Sequence, residues 1–281
     1  MAPESAVVTE GFVSSSDGTR LAYRAWPSPG ARVTFAVVHG LGEHSGRYER
    51  FARGMAPYQM ATFAVDLRGH GKSDGRRGHV DSWAQWVDDA AAFVAHVESQ
   101  TEGEVVPLGH SFGGTVMLST VRAQKLPPAR TRRFIVSSPA LRLRVKVPAW
   151  KSSLASVAST LVPRLAMDNE VNPGSVSRIP EVVEAYRADP LVHSRISSRL
   201  YAEWANAATE NLERAGEINI PFLILAGSAD PLIDPAGSEE LHRRTPNTST
   251  LNMLDGRYHE PFNDLGSDEV FSSIAEWLRR P

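Results

Sequence analysis

The sequence contains no cysteine among its 281 residues. This absence excludes a disulfide framework, a zinc site built from thiolates and a cysteine nucleophile. The chain also has no uninterrupted apolar run of about 18 residues, the length expected of a membrane-spanning helix. Its first residues, MAPESAVVTEGF, lack the apolar core of a secretory signal. We therefore expect a soluble protein of the cytoplasm.

A strong net charge is absent as well. Thirty basic and 32 acidic side chains give a formal charge of −2, whereas nucleic-acid-binding domains are usually strongly basic, so we expect no nucleic-acid partner. The charge is unevenly spread, because residues 105–167 contain ten basic residues and no acidic one. Such a block is typical of contact with an anionic surface, and the alternative is a set of solvated faces scattered over the fold.

The pattern of apolar residues predicts the fold class. At roughly 100–200 residues per domain, the chain corresponds to one large domain or two small ones. After a predicted hairpin around Asp17 and Gly18, short apolar runs alternate with helical periodicity. Short apolar strands that alternate with helices indicate an α/β fold with a mostly parallel sheet covered on both faces. The predicted strands are 35–38, 62–65, 105–108, 134–136 and 222–225, and the predicted helices are 83–97, 112–123, 235–244 and 268–280.

The alternation stops between Leu141 and about Glu217. Within this stretch the apolar residues from Trp150 to Leu165 predict an amphipathic helix, and four prolines divide the remainder. An insertion of this length is too long for a connecting loop and is typical of a lid or small subdomain. We therefore expect residues 1–140 and 218–281 to form the α/β core and residues 141–217 to form a cap.

A Gly-x-Ser-x-Gly motif spans residues 109–113, after a predicted strand and before a predicted helix. In this position the serine stands on a tight strand-to-helix turn that exposes its Oγ, and the flanking glycines allow close backbone packing. The motif therefore predicts Ser111 as a nucleophile. The N–H of Phe112, at the start of the helix, is the first expected donor of an oxyanion hole.

A second oxyanion donor is expected from the loop after the third strand, His39-Gly40-Leu41-Gly42. We assign it to the N–H of Leu41. His39 precedes the nucleophile in the chain and is interpreted as a structural histidine that braces this loop.

The remaining catalytic partners are expected in the chain order serine, acid, histidine. Two histidines follow the candidate acids, and His259 is favoured over His242 because it lies in a loop between a strand and the final helix. Asp230 is favoured as the acid over Asp234 and Asp255 because it directly follows a strand. Its carboxylate would fix the imidazole tautomer and stabilise the imidazolium.

With these residues in view, the chain resembles the monoacylglycerol lipases, a lysophospholipase-like branch of the α/β-hydrolases. The resemblance runs nearly end to end, and animal-type members differ in carrying a histidine where this chain has Phe262. The motifs that carry the resemblance are HGLGEHSGRY at 39–48, DLRGHGKSDG at 66–75, GHSFGG at 109–114, DPLVH at 189–193, GSADPLIDPAGS at 227–238 and YHEPFND at 258–264.

The resemblance implies a sheet of the eight-stranded type, a mobile cap over an apolar acyl tunnel, and hydrolysis of a monoacylglycerol to glycerol and a fatty acid. It also implies that Glu43 and Arg47 lie near the glycerol end of the pocket. Because they are four residues apart, the alternative is an internal ion pair that only fixes the loop. A broad carboxylesterase or lysophospholipase with the same triad remains the alternative activity.

No metal or organic cofactor is expected, since the predicted mechanism is a two-step acyl transfer through Ser111. The expected partner is a lipid ester. The alternation of Arg142, Arg144 and Lys146 with apolar residues at the start of the cap predicts peripheral contact with a membrane or micelle. The alternative is that this stripe only packs on the core.

Overall fold

The computed structural model describes residues 8–144, 158–169 and 171–280. Within these ranges the predicted strands and the four predicted core helices each lie close to an observed element. The strands are β1 (Thr9–Ser14), β2 (Arg20–Trp26), β3 (Val33–Val38), β4 (Met60–Val65), β5 (Glu104–His110), β6 (Phe134–Ser137), β7 (Ala166–Asp168), β8 (Arg195–Ser197), β9 (Phe222–Gly227) and β10 (Ser249–Leu254). The helices are α1 (Glu49–Met55), α2 (Trp83–Gln100), α3 (Phe112–Arg122), α4 (Pro180–Ala188), α5 (Ser198–Glu213), α6 (Ala236–Arg244) and α7 (Ser267–Arg279).

Eight strands form one sheet in the order β1-β2-β4-β3-β5-β6-β9-β10. The pairs β1–β2 and β2–β4 are antiparallel, and every other neighbouring pair is parallel. This confirms the predicted α/β class and the hairpin at the start of the chain. The central strands are buried on both faces, which explains why they are continuous apolar runs.

Helices cover both faces of the sheet. One core packs around Trp86 and Phe93 of α2 and Phe112 of α3, and the other around Phe51 of α1 and Ile274 of α7. A capping box formed by Ser82 and Gln85 is present at the start of α2. Burial of apolar area on both faces is the main stabilising contribution to this layered arrangement.

The chain between β6 and β9 adds an antiparallel β7–β8 ribbon and the helices α4 and α5. The 16-residue helix α5 was not predicted, although Leu200, Ala208 and Leu212 are buried on it at helical spacing. It packs on α3 through Asn211, whose Nδ2 donates to the carbonyl of Thr115 at 2.9 Å. Residues 158–161 are helical, while most of the helix predicted over 150–165 lies outside the described residues.

None of the helices in the described ranges combines the length and the apolar character needed to cross a bilayer.

Candidate active site

Ser111 lies on the sharp turn between β5 and α3, with φ +52° and ψ −117°. A positive φ is rare for a residue with a Cβ and stores strain at this position. The surrounding glycines are required by close contacts. A Cβ on Gly113 would lie 2.3 Å from the carbonyl oxygen of Val38, and one on Gly109 would lie 2.4 Å from that of Gly113. The serine is held by its own N–H, which donates to the carbonyl of Ser137 at 2.8 Å.

The structure brings Ser111, His259 and Asp230 into one hydrogen-bonded chain. The Nε2 of His259 lies 2.9 Å from the Oγ of Ser111, and its Nδ1 lies 2.7 Å from Oδ2 of Asp230. The other carboxylate oxygen, Oδ1, accepts the N–H groups of Leu232 at 2.8 Å and Ile233 at 3.0 Å. Both oxygens of the acid are therefore fixed, and Asp234 and Asp255 do not take this position.

His259 and Asp230 shift each other's pKa in the direction opposite to the shift that burial causes. Burial lowers the pKa of His259, but the charge and hydrogen bond of Asp230, together with the charges of Glu260 and Glu43, raise it, and the net pKa lies above the ordinary value. Burial raises the pKa of Asp230, but the charge of His259 and the hydrogen bonds it accepts lower it more, so the net pKa is low. An ionised Asp230 accepts a proton-bearing Nδ1, which leaves Nε2 to accept from Ser111.

The loop that follows β3 lies against the serine. A Cβ on Gly40 would lie 3.2 Å from Cβ of Ser111, so the N–H of the next residue, Leu41, belongs to a segment in contact with the nucleophile. The N–H of Phe112 is in the first turn of α3, where backbone donors have no partner within the helix. These are the two groups predicted as oxyanion donors.

His39 braces this loop, as expected. Its Nε2 accepts the N–H of Leu67 at 3.0 Å, so its Nδ1 carries the proton and donates to the carbonyl of Gly40 at 2.6 Å. Burial lowers the pKa of His39, which keeps the ring neutral and both bonds in place.

Glu43 and Arg47 are paired with each other and with a residue that the sequence analysis missed. Arg47 Nε lies 3.0 Å from Oε2 of Glu43, and its Nη2 lies 2.8 Å from Oε1 of Glu260. The signal for Glu260 was the motif YHEPFND, in which it directly follows His259. Phe262, in the same motif, is buried and packs edge-on against Phe51 with ring centroids 4.8 Å apart.

The cations expected to rim the cap have partners in the core. Arg142 forms an ion pair with Glu240, and Arg144 donates to the carbonyl oxygen of Asp230 at 2.9 Å. Lys146 lies outside the described residues. The first residues of the insertion therefore bind the loop that carries the acid. Over the part of the chain that is described, no cluster of three or more His, Asp or Glu side chains could hold a metal ion.

Comparison with known proteins identifies the family. The Hydrolase_4 family, described as serine aminopeptidase, S33, matches residues 29–266. The chain belongs to this family. A monoacylglycerol lipase of Mycolicibacterium smegmatis is 31% identical over 266 residues, which are 93% of this chain and 93% of that protein. The crystal structure of Paleococcus ferrophilus monoacylglycerol lipase is 30% identical, with a TM-score of 0.79, and the match covers 97% of this chain and 98% of that one.

An abhydrolase domain-containing protein of Dictyostelium discoideum is 33% identical over 270 residues, and this chain spans only 28% of its length. The comparisons confirm the resemblance to monoacylglycerol lipases that the motifs indicated, and they confirm the α/β-hydrolase fold. This Hydrolase_4 chain is thus an enzyme, a serine ester hydrolase.

Proposed function

We propose that this enzyme cleaves the ester bond of monoacylglycerols, giving glycerol and a free fatty acid, through a triad of Ser111, His259 and Asp230. The observation that carries the proposal is the hydrogen-bonded chain from the serine Oγ to the carboxylate, built on a turn with positive φ. The names of the relatives support the choice of substrate, because two proteins with about 30% identity over nearly the whole chain are monoacylglycerol lipases.

The first half-reaction transfers the acyl group to the enzyme. His259 Nε2 takes the proton of Ser111 as the Oγ forms a bond to the ester carbonyl carbon. The carbonyl oxygen becomes an oxyanion that accepts the N–H groups of Leu41 and Phe112. The intermediate then collapses, the ester C–O bond to glycerol breaks, and the leaving oxygen takes the proton from His259.

The second half-reaction releases the fatty acid. Water gives a proton to His259 and attacks the acyl carbonyl, and collapse of the second intermediate returns that proton to the Oγ of Ser111. No cofactor takes part in this scheme. Asp230 stays ionised throughout and stabilises the imidazolium that forms in each half-reaction.

Residues 141–217 act in this proposal as the cap over the site. Contacts between this segment and the loop after β3 support the assignment. The N–H of His193 donates to the carbonyl of Gly42 at 2.8 Å, and Nε2 of His44 lies 2.8 Å from Oδ2 of Asp189. Glu43 and Arg47, in the same loop, are proposed to lie on the alcohol side of the bound ester.

The proposal includes peripheral contact of the cap with a membrane or micelle. Between residues 158 and 169, a described part of the cap, four apolar side chains are exposed although large apolar groups are usually buried. They are Leu161, Val162, Leu165 and Met167. An acyl chain that leaves a lipid phase next to such a surface crosses little water.

A substrate panel tests the activity. Initial rates are compared on mono-, di- and triacylglycerols, a lysophospholipid, short p-nitrophenyl esters and an amino-acid amide, with Ser111→Ala as the control. We expect the wild type to have its highest kcat/KM on monoacylglycerol. We expect Ser111→Ala to show no hydrolysis above background on any substrate of the panel. A higher value on lysophospholipid or on short esters would contradict the proposal and favour the alternative activities.

Vesicle co-sedimentation tests the membrane contact. We expect the double variant Leu161→Ser with Leu165→Ser to bind vesicles less than the wild type while its turnover of a short soluble ester is unchanged. Leu265→Ser is the matched control, because Leu265 is similarly exposed but follows β10. Equal binding by all three proteins would refute contact through this part of the cap.

A further inference from the structure

A buried charged cluster lies between the loop that carries His259 and the loop after β3. The side chains of Glu43, Arg47 and Glu260 are only 6%, 8% and 6% exposed. The guanidinium lies between the two carboxylates, bonded to Glu43 through Nε at 3.0 Å and to Glu260 through Nη2 at 2.8 Å. We refer to these three side chains as the Glu43–Arg47–Glu260 bridge.

One end of the bridge fixes the expected oxyanion loop. Oε1 of Glu43 accepts the N–H of Gly40 at 2.5 Å and the hydroxyl of Tyr48 at 2.9 Å. Gly40 directly precedes Leu41, whose N–H is the proposed oxyanion donor. The Glu43 carboxylate thus holds the His39–Gly40 peptide group, one residue before the N–H of Leu41, and Arg47 holds that carboxylate from the opposite side.

The other end of the bridge fixes the backbone next to the catalytic base. Glu260 follows His259 in the chain, its N–H donates to the carbonyl of Val176 at 3.0 Å, and its Oε2 accepts Nδ2 of Asn263 at 2.9 Å. Backbone and side chain of Glu260 are thus both anchored. Arg47 is bonded to Glu260, and His259 is the residue before Glu260. The position of Arg47 therefore affects the position of the His259 imidazole.

The Glu43–Arg47–Glu260 bridge is not electrically neutral. Two carboxylates and one guanidinium leave a net charge of −1 in a buried region, where such a charge is poorly screened. The ring of Tyr186, from α4, covers the guanidinium, with Cζ of Arg47 4.5 Å from the ring centroid. The uncompensated negative charge therefore acts on neighbouring groups rather than on water.

We propose that the Glu43–Arg47–Glu260 bridge is a positioning element for the reaction. It holds the oxyanion loop in register with His259, and its net negative charge adds to that of Asp230 in stabilising the protonated imidazole. This inference rests on the proposed triad. It gives Glu260 and Arg47 a role that acts through their neighbours, in addition to the proposed place of Arg47 on the alcohol side of the ester.

The groups around His259 are consistent with this electrostatic role. Asp230 on the loop after β9 has the largest effect that raises the pKa of His259, and Glu260 and Glu43 raise it further. His110 of β5, whose ring centroid is 4.9 Å from that of His259, does not contribute a charge at neutral pH, because burial lowers its pKa to about 3. The positive charge of Arg47 cancels one of the two negative charges of Glu43 and Glu260.

The test is the pH profile of kcat/KM on a soluble ester, whose acid limb reports the pKa of the base in the free enzyme. Glu260→Gln keeps an acceptor for Arg47 and removes one negative charge. We expect the acid limb to move to lower pH by at least about 0.5 unit, the shift that one poorly screened charge produces, and kcat to fall while KM changes little.

A charge-preserving variant separates electrostatics from structure. Glu260→Asp keeps the net charge of the bridge at −1 but shortens the side chain that reaches Arg47 and Asn263. We expect its acid limb to stay near the wild-type position while kcat falls. Glu104→Gln is the matched control, since Glu104 forms a half-buried ion pair with Arg133 at the opposite end of β5, and its acid limb should not move.

An unmoved acid limb in Glu260→Gln, or one displaced equally in Glu260→Asp, would overturn the proposal. Failure of the bridge is distinguishable from failure of the triad. Covalent labelling of Ser111 by a fluorophosphonate reports the nucleophile directly, so normal labelling with an unmoved limb would refute the bridge and leave the triad in place. If the wild type were not labelled at Ser111, the bridge would fall together with the triad.

Discussion

The indole Nε1 of Trp204 donates a hydrogen bond to the carbonyl oxygen of Ala140 at 3.0 Å. The N–H of Ala140 in turn donates to the carbonyl of Ser111 at 2.9 Å, and the ring of Trp204 packs edge-on against Phe112. Helix α5, which lies between β6 and β9, therefore contacts the turn that carries Ser111. Its stability and the geometry of that turn are connected.

Replacing Trp204 with phenylalanine tests this connection. The substitution keeps an aromatic ring against Phe112 but removes the donor, and a lost hydrogen bond of this kind costs about 1 kcal/mol. We expect the free energy of unfolding in urea to fall by about that amount, with a slower reaction of Ser111 with a fluorophosphonate. An unchanged unfolding midpoint would show that the bond does not contribute.

The strained backbone at Ser111 should affect the unfolding stability of variants at this position. Both Ser111→Ala and Ser111→Gly remove the nucleophile, and kcat should fall by about 10⁴–10⁶ in each, because the triad acts as a unit. Only glycine adopts φ +52° and ψ −117° without a steric cost. We expect Ser111→Gly to be more stable than Ser111→Ala by about 1 kcal/mol, since relief of about 1–3 kcal/mol of strain exceeds the entropic cost of glycine. Equal urea midpoints would argue against a strained turn.

The two candidate acids are separated by a matched pair of amide substitutions. Asp230→Asn removes the charge that holds Nδ1 of His259, and kcat should drop by about 10⁴. Asp234→Asn is the control, because Oδ1 of Asp234 accepts the N–H of Ala236 at 3.1 Å and the amide oxygen of asparagine can do the same. Initial ester hydrolysis rates measure both, and a severe loss in Asp234→Asn with a mild one in Asp230→Asn would reverse the assignment.

The lowered pKa of His110 should make the free energy of unfolding depend on pH. Burial lowers its pKa from the ordinary value of 6.5 to about 3, so the folded state keeps the ring neutral while the unfolded state takes up a proton below pH 6.5. Its contribution is fully present above pH 6.5 and is lost as the pH falls toward 3, by up to about 1.4 kcal/mol per pH unit.

His110→Gln should therefore make the free energy of unfolding less steep between pH 6 and pH 4. Urea titrations of the wild type and the variant at several pH values in this interval give the two slopes. Identical slopes would contradict a neutral, buried His110 in the folded protein.

The sheet was largely predictable from the sequence, because each central strand is buried on both faces and reads as an apolar run. Helix α5 was not predicted, although Leu200, Ala208 and Leu212 are buried at helical spacing. The whole insertion was interpreted as short pieces divided by prolines, and the sequence has no proline between Pro190 and Pro221. The predicted helix at 150–165 stays a prediction over most of its length.

The candidate site was predictable where local motifs carry it. Ser111, His259 and Asp230 each follow a strand in the expected chain order, and the structure brings them together. The partner of Arg47 was not predictable, because Glu260 is 213 residues away and only the folded loops make them neighbours. The i, i+4 spacing suggested the Glu43–Arg47 pair but not the second carboxylate that sets its charge.

Trapping the acyl-enzyme tests the central claim most directly. The wild-type protein is mixed with a long-chain monoacylglycerol, quenched in acid within one turnover, digested and examined by mass spectrometry. The account predicts a peptide containing Ser111 that is heavier by one acyl group less one hydrogen, and no such peptide from Ser111→Ala. Hydrolysis of the monoacylglycerol without an acyl adduct at Ser111, or with the adduct on another residue, would contradict it.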